Sequence, residues 1–285
     1  MVSSFDPPGT AETGPPDRRR RTIIVSTEAF VGPGYRPAVD IFDDLVAEQD
    51  RLETILVELD TATWESESGA PSWTIADVVL HLAQTEEAVV ATVSTGGEAD
   101  VGGPRWRLRD EPMDEAVERR VRSERAAPLQ VFERWRAARR AAIAALRSAD
   151  PRRRYGWAAA PLKPTTLATT RLAEHWAHGL DITTPLGIDF PDTDRLRHIA
   201  WLGHATLPYA FALAGEPPGE VFCELLGPDG SMWDFGNRDA PSTIRGSASE
   251  FCRLGARRLR PEDTTLIGDG PCAMTALDVL RNYAG

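Results

Sequence analysis

Two histidines and a glutamate share one short run of this chain, Leu172–Asp181 (LAEHWAHGLD), where His175 and His178 follow Glu174. Glu174 and His178 are four residues apart. On a helix both side chains leave the same face, one turn apart. That spacing lets a helix offer two ligands to one metal ion. His175 sits about 100° further round the helix and does not easily join them. A tetrahedral site needs more than two protein ligands. The best partner elsewhere is His81, in Asp77–Gln84 (DVVLHLAQ). Two imidazoles and one carboxylate form a facial set with open positions, which suits zinc in a catalytic site. Other divalent metals also fit.

Each residue has a plainer reading. A lone histidine on an apolar helix face is usually a satisfied core residue, and a glutamate is usually a solvated or capping charge. The surroundings favour the metal. Leu172, Ala173, Trp176, Ala177 and Leu180 make the helix otherwise apolar, so Glu174 and His178 are partly buried and need partners. Asp77 and Asp181 each lie about one turn from a histidine and could hold an imidazole N–H. Either could equally cap or end its helix. His175 is an alternative ligand or a catalytic group. Arg257, with Asp181, is a further catalytic candidate. Arg245 and Arg258 are candidates for holding an anionic substrate or cofactor, although any arginine of so arginine-rich a chain can be a solvated charge. His198 and His204 read as surface or inter-domain residues.

The elements that must position these groups are mostly helical. Phe42, Leu45, Leu52, Ile55, Leu56 and Leu59 recur at three and four residues and predict a helix over 39–59. Thr74 and Asp77 form a capping box, and Trp73 and Val78 a hydrophobic staple. They start a second helix that runs to about Val93 and carries His81. A helical region over 113–149 is broken near Pro128, which suits a first turn. The helix holding Glu174 and His178 spans 166–183, and another runs from about 194 to 214. After Pro217-Pro218 the period changes. Strands are expected at 221–226, 231–235 and 242–245, then helices at 246–258 and 273–283. The reading is a mainly α protein: an antiparallel four-helix bundle at 37–190, then an inter-domain helix and small α+β domain at 191–285. Residues 1–36, rich in proline and glycine, form a loosely packed tail.

Composition narrows the function. The chain has 285 residues and a net charge of −11, a poor match to general nucleic-acid binding. No apolar run approaches a membrane span, and Arg18–Arg21 is not followed by a signal h-region. A cytoplasmic protein, monomer or homodimer, is expected. Three widely spaced cysteines give neither a disulfide framework nor a thiolate metal site. Lys163 is the only lysine, an arginine bias typical of high-GC bacterial genomes.

The stretches Trp73–Leu82 (WTIADVVLHL) and Thr170–Gly179 (TRLAEHWAHG) together resemble the DinB-like family of metal-binding four-helix bundles. The closer likeness is to its mycothiol-dependent maleylpyruvate isomerase branch. It covers roughly residues 38–285, because Trp233–Gly236 and Ile244–Cys252 resemble that branch's small C-terminal domain. By motif position the resemblance implies that His81, Glu174 and His178 are metal ligands. It implies that the metal lowers the pKa of the thiol of mycothiol, making a nucleophilic thiolate. In an isomerase the thiolate adds to a cis double bond, permits rotation and leaves. In a transferase it stays attached. Members of this branch often carry threonine where this chain has His175.

Three functions are compatible with this reading. The first is a thiol-dependent transferase or isomerase acting on a small molecule. The second is a metal-dependent hydrolase or cyclase tailoring a natural product without a thiol. The third is a non-catalytic binding protein that keeps the metal.

Overall fold

A computed structural model describes residues 40–95, 112–157 and 160–282. The expected N-terminal tail and most of the expected loop at 94–109 lie outside these residues. Four long helices form the antiparallel bundle: α1 (Ile41–Leu56), α3 (Ile75–Ser94), α5 (Pro128–Ser148) and α6 (Pro164–Leu186). Their stripes of apolar residues face one another. Leu45, Leu52, Leu80, Trp135, Leu146, Leu167 and Leu172 are all essentially inaccessible to water, each stabilising the fold by about 1.5–3 kcal/mol relative to exposure. Local chemistry sets the helix starts. The Thr74 hydroxyl accepts the Asp77 N–H, and the Asp77 carboxylate accepts the Thr74 N–H. Pro128 and Pro164 open α5 and α6, where a missing N–H costs nothing.

Around the bundle lie a short helix α2 (Thr61–Trp64), capped by Asp60, and α4 (Met113–Ser123). The helix expected over 194–214 is two helices, α7 (Leu196–Ala205) and α8 (Leu207–Ala214). Pro208, in the first turn of α8, has no N–H to continue the preceding ladder. The C-terminal part holds β1 (Val221–Leu226), β2 (Met232–Phe235), β3 (Ser242–Ser247), α9 (Ala248–Gly255), β4 (Ile267–Asp269) and α10 (Ala273–Val279). The sheet order is β2-β1-β3-β4, with β1 and β3 parallel and both outer pairs antiparallel. β4 was not expected from the sequence; its three residues give too short a pattern to read. Gly246 belongs to β3 rather than to a helix, because its φ of 142° suits glycine and a Cβ there would meet Leu266 at 2.9 Å.

The largest apolar core runs from Ile41 through the inner faces of α6 and α7 to the sheet and Leu280. Bundle and sheet therefore share buried surface. No helix among the described residues is long and apolar enough to cross a membrane.

Candidate metal centre and cavity

Two helices bring three side chains together. α3 projects His81 and α6 projects Glu174 and His178 toward the same point. His81 Nε2 is 3.5 Å and His178 Nε2 is 3.4 Å from the same oxygen, Glu174 Oε2. One donor atom from each residue lies within 4.8 Å of the other two. Charge-assisted hydrogen bonds are usually shorter, about 2.7–2.9 Å. Ligand atoms about 2.0–2.1 Å from a zinc ion in tetrahedral array lie about 3.3–3.4 Å apart. The observed spacings match edges of a coordination polyhedron better than they match direct ion pairs, so this donor set fits a divalent metal.

Supporting contacts fix the orientation. His178 Nδ1 is 2.9 Å from Asp181 Oδ2. An Nδ1–H donated to that carboxylate leaves the Nε2 lone pair aimed at Glu174. Arg258 in turn grips Asp181 with Nε at 3.0 Å from Oδ1 and a second nitrogen on Oδ2. The Trp73 ring lies 5.2 Å from the His81 ring and stacks at 6.3 Å on that of His178, forming one wall. Burial penalises the Glu174 carboxylate, yet His178 and His81 hold it well below the usual range. Burial likewise disfavours charge on His178, but Asp181 and Glu174 outweigh it and raise its pKa. Burial lowers the pKa of His81 despite Glu174, which favours the neutral imidazole that a metal ligand requires.

The loop before α3 is tied to this site by backbone. Pro185 lies in the last turn of α6 and has no N–H for the carbonyl four residues earlier, that of Asp181. That carbonyl instead accepts the Gly69 N–H at 2.7 Å. A Cβ on Gly69 would sit 3.1 Å from the Asp181 Cα, so glycine is what permits the approach.

The remaining candidates divide. Asp181 and Arg258 belong to the site. His175 does not, contrary to its expected catalytic role. It is fully buried, its Nδ1 is 2.8 Å from the Arg171 carbonyl, and Trp135 Nε1–H donates to its Nε2 at 3.2 Å. Both ring nitrogens are used, and burial lowers its pKa to about 3. Arg257, with φ of 60°, reaches only the Asp278 carbonyl. Arg245 pairs with Glu224 on the exposed face of the sheet at 3.2 Å. Neither is among the residues that line the cavity. Asp77 acts as a cap and pairs with Arg125. His198 and His204 are buried and join α7 to Asp44 of α1 and to the Val221 carbonyl of β1.

The donor triad opens into a cavity of about 740 Å³. Trp73, Trp157, Trp201 and Tyr209 contribute its aromatic walls, and Met113 and Val117 of α4 close one side. Sequence reasoning missed this wall, since its residues come from five separate segments. It also missed the buried Arg171–Glu86 pair behind the triad, with Nε 3.0 Å from Oε1. Pro185 inside a helical pattern was the one available signal for the Gly69 tie.

Comparison with known proteins agrees with this architecture. The sequence pattern described as "Mycothiol maleylpyruvate isomerase N-terminal domain" matches residues 45–183. The chain is 34% identical over 255 residues to the uncharacterized protein Rv0036c of Mycobacterium tuberculosis (strain ATCC 25618 / H37Rv), covering 85% of this chain and 94% of that one. The uncharacterized protein MT0041 of strain CDC 1551 / Oshkosh matches equally. A crystal structure of the mycothiol-dependent maleylpyruvate isomerase superposes with a TM-score of 0.56 at 14% identity, over 82% of this chain and 93% of that chain. The structure of a mutant of that enzyme gives 0.54, also at 14% identity, over 78% and 90%. At that identity the likeness speaks for the fold, and the sequence match speaks for descent. The chain belongs to the mycothiol-dependent maleylpyruvate isomerase family of DinB-like helical bundles.

Proposed function

We propose that this protein is a metal-dependent enzyme that uses mycothiol as a nucleophile, either transferring the thiol to a small molecule or catalysing a cis–trans isomerisation. The carrying observation is the convergence of His81, Glu174 and His178 on one point at the wall of a large cavity. A divalent metal there, zinc by donor type, supplies a positive centre that lowers the pKa of a bound thiol. The protein's own residues do the rest. Asp181 holds His178 in the tautomer that presents Nε2, and Arg258 keeps Asp181 ionised and in place. Trp73 covers the imidazole faces and limits water at the site. The aromatic walls hold a substrate carbon near the triad.

The test is spectroscopic. In cobalt-substituted protein, titration with mycothiol is expected to produce a strong thiolate charge-transfer band. A spectrum unchanged by mycothiol would instead favour a hydrolase or cyclase that activates water.

A further inference from the structure

We propose, building on the thiol-enzyme reading, that the cavity takes an uncharged, ring-bearing apolar electrophile rather than a small dicarboxylate such as maleylpyruvate. The first ground is the wall. Trp73, Trp157, Trp201 and Tyr209 present ring surface across a space of about 740 Å³, ample for a molecule with at least one ring system.

The second ground is charge. Among the described residues three arginines reach this wall, and each is already matched. Arg171 is buried, donates Nε to Glu86 at 3.0 Å and Nη2 to the Thr85 hydroxyl at 2.6 Å. Arg258 spends two nitrogens on the two oxygens of Asp181. Arg120 lies between Glu87 and Glu124, at 3.7 and 3.1 Å. On α4 the cavity meets Glu118, paired with Arg122, and Asp114, which forms no ion pair among the described residues. The charge of a divalent metal would be met by Glu174 and the thiolate. A dicarboxylate entering from water finds no uncommitted cation among these side chains, and an unpaired buried carboxylate is costly. A neutral aromatic molecule loses nothing comparable and gains ring contacts.

The step this implies balances without an oxidant. The thiolate sulfur gives its electron pair to an electron-poor alkene carbon and a C–S bond forms. The π pair moves to the neighbouring carbon, which receives the proton that the thiol lost.

Two unreactive probes test the preference: benzene-1,4-dicarboxylate and its dimethyl ester, which share a ring and differ in charge. Binding to the protein as purified, with mycothiol present, is followed by calorimetry and by quenching of tryptophan emission. The ester is expected to bind at least about tenfold more tightly. Trp157→Ala and Trp201→Ala should each weaken it several-fold. Val117→Arg combined with Asp114→Asn, which places a cation on the α4 wall without the carboxylate one turn before it, should tighten the diacid several-fold. Diacid binding as tight as that of the ester would overturn the proposal, as would ester binding untouched by both tryptophan variants. Neither probe has an electrophilic alkene, so these outcomes leave the thiol reading to the cobalt spectrum.

Discussion

Helix α6 carries two histidine clusters three residues apart, and they have opposite fates. His178 shares its surroundings with carboxylates and keeps Nε2 turned toward Glu174 and the cavity. His175 shares its surroundings with Trp135, Arg171 and the buried Glu86, and both its nitrogens have partners. The residue type is the same and the helix is the same. The difference lies in what meets the second nitrogen. A carboxylate on Nδ1–H strengthens the free nitrogen as a ligand, whereas an indole N–H on Nε2 consumes the lone pair. A histidine offers chemistry only where the fold leaves one nitrogen uncommitted.

The comparison can be broken most forcefully at the cavity cluster. His81→Ala removes one of the three proposed ligands, so the purified variant is expected to lack the metal that wild type should hold in stoichiometric amount, while keeping wild-type helicity by circular dichroism. Retained metal by elemental analysis would refute the ligand set. A smaller but still large effect is expected on the core side. His175→Thr leaves space in a packed interior and strands the Trp135 indole N–H, a loss of about 2–4 kcal/mol in unfolding experiments. Its metal content should match wild type. Metal loss with unchanged stability would show that His175 serves the cavity after all.

The smallest effect belongs to Asp77, on the His81 helix but part of neither cluster. Burial raises its pKa, but Arg125 and the Thr74 N–H more than offset this and leave it below the usual carboxylate range. A depressed carboxylate contributes stability above its unfolded pKa, and that contribution is lost as pH falls through the folded value. Asp77→Asn should therefore cost about 1 kcal/mol at neutral pH. Urea denaturation should find the gap from wild type closing as pH falls below the range where an ordinary aspartate titrates. A gap constant across that range would exclude the cap as its source.

Much of the bundle was legible because helix periodicity and capping are local. Thr74, Asp77, Pro128 and the spacing of Glu174 and His178 each state their role within a few residues. The triad needed one long-range pairing, His81 with α6, and residue chemistry narrowed that choice to a few histidines. His175, Arg245 and Arg257 misled for the opposite reason. Whether a histidine faces a cavity or an indole, or an arginine a cleft or solvent, depends on partners from distant segments such as Trp135, Glu224 and Asp278. The aromatic walls were hidden for the same reason, and β4 because three residues carry no period.

The tie between Gly69 and the Asp181 carbonyl bears on how this site can be altered. A loop held by its backbone is indifferent to most of its side chains. The segment before Trp73 can therefore be re-sequenced, by drift or by design, without moving the ring that covers His81 and His178. Three positions escape that freedom, although none touches the triad. The Ser68 hydroxyl donates to the Trp73 carbonyl at 2.9 Å and accepts the Ala70 N–H at 3.1 Å. A proline at 185 keeps the carbonyl vacant for the loop, and a glycine at 69 lets the loop come close enough to use it. A library built to change what this cavity accepts should vary Ala70 and Pro71, which line it, and leave Ser68, Gly69 and Pro185 alone.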